Sequence, residues 1–217
     1  MFTLDHVMIE TDDPEKLAKE FSEAFELPYA WSFSEGKEYS SVGINFGQIN
    51  LEFVKFKLRF GKIANSFTGL SGISFISSHT REETFNLLKE HNISYRIGEE
   101  SKAHTTVTIN EEQLFPTIFL VEYHFNTAGW RTRLEQEFKN SHGGKYKIKN
   151  LNKIILPGKS NKKVEELFPM IRYEEGITKS KIIFHSELGN SNQKLVTLND
   201  SSLNFEICIV DPALSLR

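Results

Sequence analysis

The chain has 217 residues, and its 26 lysines and arginines nearly balance 29 aspartates and glutamates, for a net charge of −3. This balance argues against a basic nucleic-acid-binding surface, and no apolar run reaches the roughly 20 residues that a membrane helix needs. The hydrophobic fraction of 39% is typical of a globular protein. With one cysteine, Cys208, and no signal-peptide pattern at the start, we expect a cytoplasmic protein without disulfides.

The first 57 residues predict a βαβββ module. Alternation of side chains over residues 3–10 predicts a strand, and Asp13 and Pro14 then supply the N-cap and first position of a helix. Apolar residues at helical spacing give this helix one buried face. They are Leu17, Ala18, Phe21, Ala24 and Phe25. Three further strands are predicted at 29–33, 39–46 and 49–56.

The same order of elements recurs at a spacing of about 50 residues, which indicates an internal repeat. The second copy covers residues 68–125, and its helix begins with a capping box formed by Thr80 and Glu83. Its strands are predicted at 71–77, 93–97, 105–109 and 117–124. Residues 126–147 form a linker with a short helix. The third copy, 148–217, is shorter, with strands predicted at 151–156, 181–185, 195–198 and 203–210.

The repeat predicts an α+β fold of βαβββ modules. We expect copies one and two, residues 1–57 and 68–125, to pair into a cupped mixed or antiparallel barrel. The third, shorter module would lie outside this pair. An odd copy leaves sheet edges that favour pairing with another chain, so a homodimer is expected, with neither nucleic acid nor membrane as a partner.

One glutamate recurs on the last strand of each copy, at Glu52, Glu122 and Glu206. Because each alternates with bulky residues that would pack on a helix, we expect all three on the concave side, with His6 on the same side. His6, Glu52 and Glu122, with His124 as an optional fourth ligand, would suit Zn²⁺, Ni²⁺, Mn²⁺ or Fe²⁺. The alternative is a hydrogen-bonded histidine beside carboxylates that line a wet groove.

Particular segments of this sequence resemble the vicinal oxygen chelate superfamily, which includes glyoxalase I, extradiol dioxygenases and bleomycin-resistance proteins. The similarity is greatest to its glyoxalase-like domain proteins and covers nearly the whole chain. The segments that carry it are Asp5-His6-Val7-Met8-Ile9, Asp12-Asp13-Pro14, Leu51-Glu52-Phe53-Val54, the run from Leu114 to His124, and His142-Gly143-Gly144.

The resemblance implies a metal site between two modules. His6 and Glu52 match the ligand positions of the first module and Glu122 matches one in the second, whereas the remaining position falls on Gly72. A metal ion there would chelate a substrate through two neighbouring oxygens, and Glu122 or Glu52 would serve as the catalytic base. Lyase, isomerase or dioxygenase-type chemistry is the activity that the resemblance implies.

The rival interpretation is a binding protein without turnover, of the bleomycin-resistance type, which would sequester a hydrophobic or aromatic compound in the same cup. Gly72 favours this alternative, so the sequence leaves open whether the protein is an enzyme. Tyr29, Trp31 and Phe33 share one strand face and are predicted to contact the small-molecule ligand, together with Asn50.

Overall fold

The computed structural model describes residues 1–59, 61–98, 100–109, 115–187, 194–196 and 203–210. The chain folds into two mixed sheets with few helices, and this confirms the predicted α+β class with repeated modules. No helix in these ranges is long and apolar enough to span a membrane. Residues 197–198 of the predicted strand at 195–198 lie outside the described residues, and so do residues 211–217 at the end of the predicted third module.

Module one contains one helix and four strands of the large sheet. They are β1 (Phe2–Glu10), α1 (Pro14–Phe25), β2 (Tyr29–Glu35), β3 (Tyr39–Asn45) and β4 (Asn50–Phe56). A small hairpin of β5 (Leu58–Arg59) and β6 (Lys62–Ile63) follows. The helix begins where the sequence predicts, because the Asp13 side chain accepts a hydrogen bond from the Lys16 amide and Pro14 occupies the first turn.

Module two repeats this order. It contains β7 (Gly69–Ser77), α2 (Arg81–Glu90), β8 (Tyr95–Ile97), β9 (His104–Ile109) and β10 (Thr117–Tyr123). The capping box of Thr80 and Glu83 is present at the start of α2. The eight strands form one sheet in the order β2-β3-β4-β1-β7-β10-β9-β8, with β1 antiparallel to β7 at the centre. The predicted pairing of two modules is therefore present, as a cupped sheet that is not closed into a barrel.

The rest of the chain forms a long helix and a second sheet. The elements are α3 (Ala128–Asn140), a 3₁₀ turn (Gly144–Tyr146), β11 (Ile148–Pro157), α4 (Lys162–Leu167), β12 (Ile171–Glu174), β13 (Ser180–Ser186), β14 (Lys194–Val196) and β15 (Phe205–Val210). This third segment has one strand more than the predicted βαβββ copy. Its strand order, β12-β11-β13-β15-β14, has the same parallel and antiparallel pairings as β4-β1-β7-β10-β9 of the large sheet.

The core lies between the two sheets, with α1 packed between them. Phe21 of α1 lies 4.8 Å, centroid to centroid, from Phe53 of the large sheet and 6.3 Å from Phe205 of the small sheet. Phe2 stacks on Phe168 at 5.1 Å. The small sheet thus covers the convex, helical side of module one within the same chain, which leaves the concave side of the large sheet for α3 and for a site.

Candidate functional site

The concave floor is built from four adjacent strands in the order β4-β1-β7-β10. The register between them determines which side chains meet on the floor. Across β1 and β4, His6 lies opposite Asn50 and Met8 lies opposite Glu52. Across β1 and β7, His6 lies opposite Ser74. Because paired residues project from the same face of a sheet, these five side chains share the concave face. The register places the predicted partners His6 and Glu52 together.

His6 is held between two carboxylates. Its Nδ1 lies 2.8 Å from Asp5 Oδ2 and its Nε2 lies 3.3 Å from Glu52 Oε2. An ionised carboxylate only accepts hydrogen bonds, so the ring nitrogen facing Asp5 carries a proton. Burial lowers the pKa of His6, but the hydrogen bond that His6 donates to Asp5 and the charge of Glu52 more than offset this, and its pKa is raised above the ordinary value.

Asp5 joins this pair to distant parts of the chain. Besides His6, it accepts hydrogen bonds at 2.8 Å from the Tyr123 hydroxyl and from Arg131 of α3. Burial raises the pKa of Asp5, but His6, Arg131 and Tyr123 together bring it down to about 2. Burial and the charge of Asp5 raise the pKa of Tyr123. Asp5 is thus an ionised, buried hub that holds the His6 ring in one orientation.

Helix α3 covers one side of the concave face. Its Trp130 ring lies 6.3 Å from Trp31 and 6.0 Å from Tyr123. The backbone carbonyl of Leu134 accepts a hydrogen bond of 2.7 Å from Asn45 on β3. The predicted linker helix is therefore an additional wall of the cup, and the chain's two tryptophans face each other at its rim.

Two buried polar atoms on this floor have no hydrogen-bond partner. They are Asn50 Oδ1 and Ser74 Oγ, on residues that are 7% and 0% exposed. Both flank His6 in the sheet register. An unpaired buried polar group costs about 1–3 kcal/mol, so a hydrogen-bond partner for either atom would be stabilising.

The structure does not bring the four predicted metal ligands together. Tyr123 reaches Asp5 on the concave side, so its strand neighbour Glu122 points to the other face, where it pairs with Arg81 at 2.6 Å. His124 Nε2 lies 3.0 Å from the hydroxyl of Thr105, and Thr105 is the residue that pairs with Glu122 across β9 and β10. Among the residues that the structure describes, no group of three His, Cys, Asp or Glu side chains could hold a metal ion. His6 and Glu52 alone do not fit a divalent ion.

The predicted ligand-contacting residues divide between two places. Tyr29, Trp31 and Phe33 line an open groove with a volume of about 1040 Å³ along the edge strand β2, beside Lys16 and Arg133. The Trp31 ring lies flat on Gly43, where any Cβ would stand 2.5 Å from the ring. Trp31 also meets Trp130 at the rim of the cup, and Asn50 lies on the floor of the cup.

Several residues of the site were not predicted from the sequence. Asp5 directly precedes His6, and a break in the β1–β7 register between Leu4 and His6 allows both to serve the same site. Trp130 and Arg131 come from the segment interpreted as a linker, more than 120 residues away. Only the four-residue spacing of Trp130, Leu134 and Phe138 on that helix could have pointed to a packed role.

The chain is similar in structure to several solved proteins. A hypothetical protein from Staphylococcus aureus matches 97% of this chain and 99% of its own, with a TM-score of 0.64 and 10% identity. Methylmalonyl-CoA epimerase from Mycobacterium tuberculosis matches 58% of this chain and 91% of its own, with a TM-score of 0.47 and 11% identity. A hypothetical protein from Bacillus halodurans matches 58% of this chain and 96% of its own, with the same TM-score.

No protein-family model matches the chain, and no curated protein matches its sequence. At about 10% identity, the Staphylococcus aureus match shows a shared fold over the full described architecture and nothing about activity. This chain is therefore similar to known proteins in its α+β fold of repeated modules.

Proposed function

We propose that the cup of the paired modules binds a small aromatic or conjugated molecule that carries hydroxyl or amide groups. The observation that carries this proposal is the pair of unpaired buried atoms, Asn50 Oδ1 and Ser74 Oγ, on either side of His6. A ligand that pairs with them supplies the hydrogen-bond partners that these two atoms lack. The oxygen atoms of Asn50 and Glu52 accept hydrogen bonds, which favours a ligand that donates them.

The walls around these polar atoms support the aromatic character of the ligand. Phe119 and Met8 lie beside the floor, and both are partly exposed. The rings of Trp31, Trp130 and Tyr123 form a continuous series at the rim. Sites for small molecules combine such apolar walls with few polar groups. Among the two functions left open by the sequence, binding and sequestration is thus the better supported.

A second candidate function is proton transfer on the bound molecule, as in an isomerase or a lyase. The 3.3 Å separation of His6 Nε2 and Glu52 Oε2 favours it, because a proton donor and a proton acceptor would face the same ligand. Asp5 would hold the imidazole in position. The test is the exchange of ligand C–H protons with deuterated water, which should require both Glu52 and His6.

The binding proposal is tested with the two tryptophans as reporters, since both stand at the rim. Catechol, phenol and 1,2-dimethoxybenzene are titrated while tryptophan fluorescence is recorded. Saturable quenching is expected to be strongest with catechol and weakest with the dimethoxy compound, which donates no hydrogen bond. Absence of saturable quenching by all three would overturn the proposed ligand class.

A matched pair of hydroxyl variants separates binding from stability. Ser74→Ala removes an unpaired hydroxyl on the concave floor, and Tyr173→Phe removes another unpaired buried hydroxyl, on β12 of the small sheet. Neither change should lower the free energy of unfolding, because no hydrogen bond is lost. Ser74→Ala should weaken ligand binding about 5- to 10-fold, whereas Tyr173→Phe should not. Equal affinities would contradict the proposed floor.

The other expectations from the sequence remain proposals. A homodimer was expected because an odd third module would leave sheet edges exposed. The small sheet instead packs through Phe205 onto Phe21 of the same chain, so this reason for a second chain is weaker. The oligomeric state is measured by the mass of the protein in solution.

A further inference from the structure

The two modules of the large sheet can be superimposed by counting residue pairs between first and last strands. In module one, His6 of β1 lies opposite Asn50 of β4, and Glu52 follows two residues later. In module two, Gly72 of β7 lies opposite Thr117 of β10, and Phe119 follows two residues later. The sequence repeat matches Gly72 to His6, and with this match the two parallel pairings place Phe119, and not Glu122, at the position of Glu52.

This register differs from the sequence alignment by three residues. The alignment matched Glu122 to Glu52, because each glutamate lies between two bulky residues of its strand. The strand pairing makes Phe119 the equivalent residue instead. Module two therefore has no metal-ligating side chain at the two positions that correspond to His6 and Glu52 of module one.

Packing shows that Gly72 and Phe119 depend on each other. A Cβ atom at Gly72 would stand 3.1 Å from Cε1 of the Phe119 ring and 3.0 Å from Met8 Sδ. The same ring meets His6 edge-on, with 5.8 Å between centroids. The ring thus fills the space that a side chain at residue 72 would occupy, and it borders the histidine directly.

We propose that His6 and Glu52 are half of a symmetric four-ligand metal set, whose other half is replaced by Gly72 and the ring of Phe119. The cup accordingly works without a divalent ion, and its aromatic wall at Phe119 occupies the place of two ligands. This proposal concerns metal binding and does not depend on the proposed organic ligand, because its test is made with no organic ligand present.

The test restores the second half of the set with Gly72→His and Phe119→Glu together. Two histidines and two carboxylates suit Co²⁺, Ni²⁺ or Zn²⁺. Removal of the ring clears the contact at Gly72, and Met8 is flexible enough to yield. After dialysis against Co²⁺ and then buffer, the double variant should retain about one equivalent of cobalt with a visible d–d spectrum, and the wild-type protein far less.

Two further changes in the double variant serve as controls. Adding His6→Ala should lower cobalt retention to the wild-type level, because a three-ligand site binds cobalt too weakly to hold it through dialysis. Adding Glu122→Gln should leave retention unchanged, because Glu122 pairs with Arg81 on the other face. Loss of cobalt retention with Glu122→Gln would show that Glu122, and not residue 119, is the equivalent of Glu52.

Two results would overturn the inference. The first is one equivalent of metal in the wild-type protein that is lost with His6→Ala. The second is a double variant that keeps the wild-type circular dichroism and melting profile yet retains no cobalt. If the double variant does not fold, Phe119→Glu alone supplies a third ligand at a site with room for it, and weaker, saturable cobalt binding is then expected. None of these outcomes changes the catechol titration, which is made without metal.

Discussion

Modules one and two have the same order of elements, but their helices lie in different surroundings. Helix α1 buries Leu17, Ala18, Phe21 and Phe25, and it is packed between the two sheets. Helix α2 buries only Thr84 and Leu88. The module whose helix packs between the two sheets is also the one whose concave face carries His6 and Glu52.

This difference shows how one repeat can serve two purposes. Module one is fixed on its convex side by the small sheet, so its floor can carry a buried charged cluster whose geometry depends on a rigid support. Module two contributes Phe119 and Tyr123, which are an aromatic wall and a hydrogen-bond donor. The third segment also contacts β7 of module two, where Phe168 lies 4.7 Å from Phe75, so it supports the central strands of both modules.

The largest effect is expected from Phe21→Ala. Phe21 is fully buried and contacts rings of both sheets, so truncation leaves a cavity that few neighbours can fill. The free energy of unfolding should fall by about 3–5 kcal/mol in urea titrations. The matched control is Phe85→Ala on α2, where the ring is half-buried and stacks on Tyr95 at 4.8 Å. About 1–2 kcal/mol is expected there. Equal losses would show that the two helices are equally supported.

The second prediction concerns Asp5 and the pH dependence of stability. The pKa of Asp5 is about 2 in the folded protein, against 3.8 for the ordinary group. A carboxyl group with a lower pKa in the folded state stabilises the protein above pH 4, and this contribution disappears as the pH falls towards 2. The difference corresponds to about 2 kcal/mol. Asp5→Asn should lose this pH dependence, as measured by urea unfolding between pH 5 and pH 2.

A control for Asp5 is Glu135→Gln on α3. Glu135 pairs only with Lys139 at 2.7 Å, and both side chains are mostly exposed. Solvent screens such pairs, so the variant should show almost the same dependence on pH as the wild-type protein. If Asp5→Asn behaves like Glu135→Gln, the buried hub does not stabilise the fold.

The sequence was sufficient to predict the modules but only half of the site. Helical spacing placed Phe21 and Phe25 in the core, and strand alternation placed His6 and Glu52 on one face, because both patterns depend on local geometry alone. The register of β10 against β7 depends on long-range pairing, so a glutamate three residues away was aligned instead of Phe119. The contact of Arg131 with Asp5 spans 126 residues, and no local pattern encodes such a contact.

The smallest effect is expected from Glu122→Gln, and this variant separates the two modules most directly. Glu122 was predicted from the sequence as a ligand and a base, yet its side chain is half exposed and pairs with Arg81, which is 44% exposed. An exposed ion pair of this kind contributes about 0–1 kcal/mol, so stability should change little. Catechol quenching should also be unchanged, because the carboxylate lies on the other face of β10 from Tyr123. Glu52→Gln removes the matching carboxylate of module one, 3.3 Å from His6, and should weaken catechol binding several-fold. If Glu122→Gln weakened binding as much as Glu52→Gln, both carboxylates would contact the same ligand, and the two modules would contribute equally to the floor of the cup.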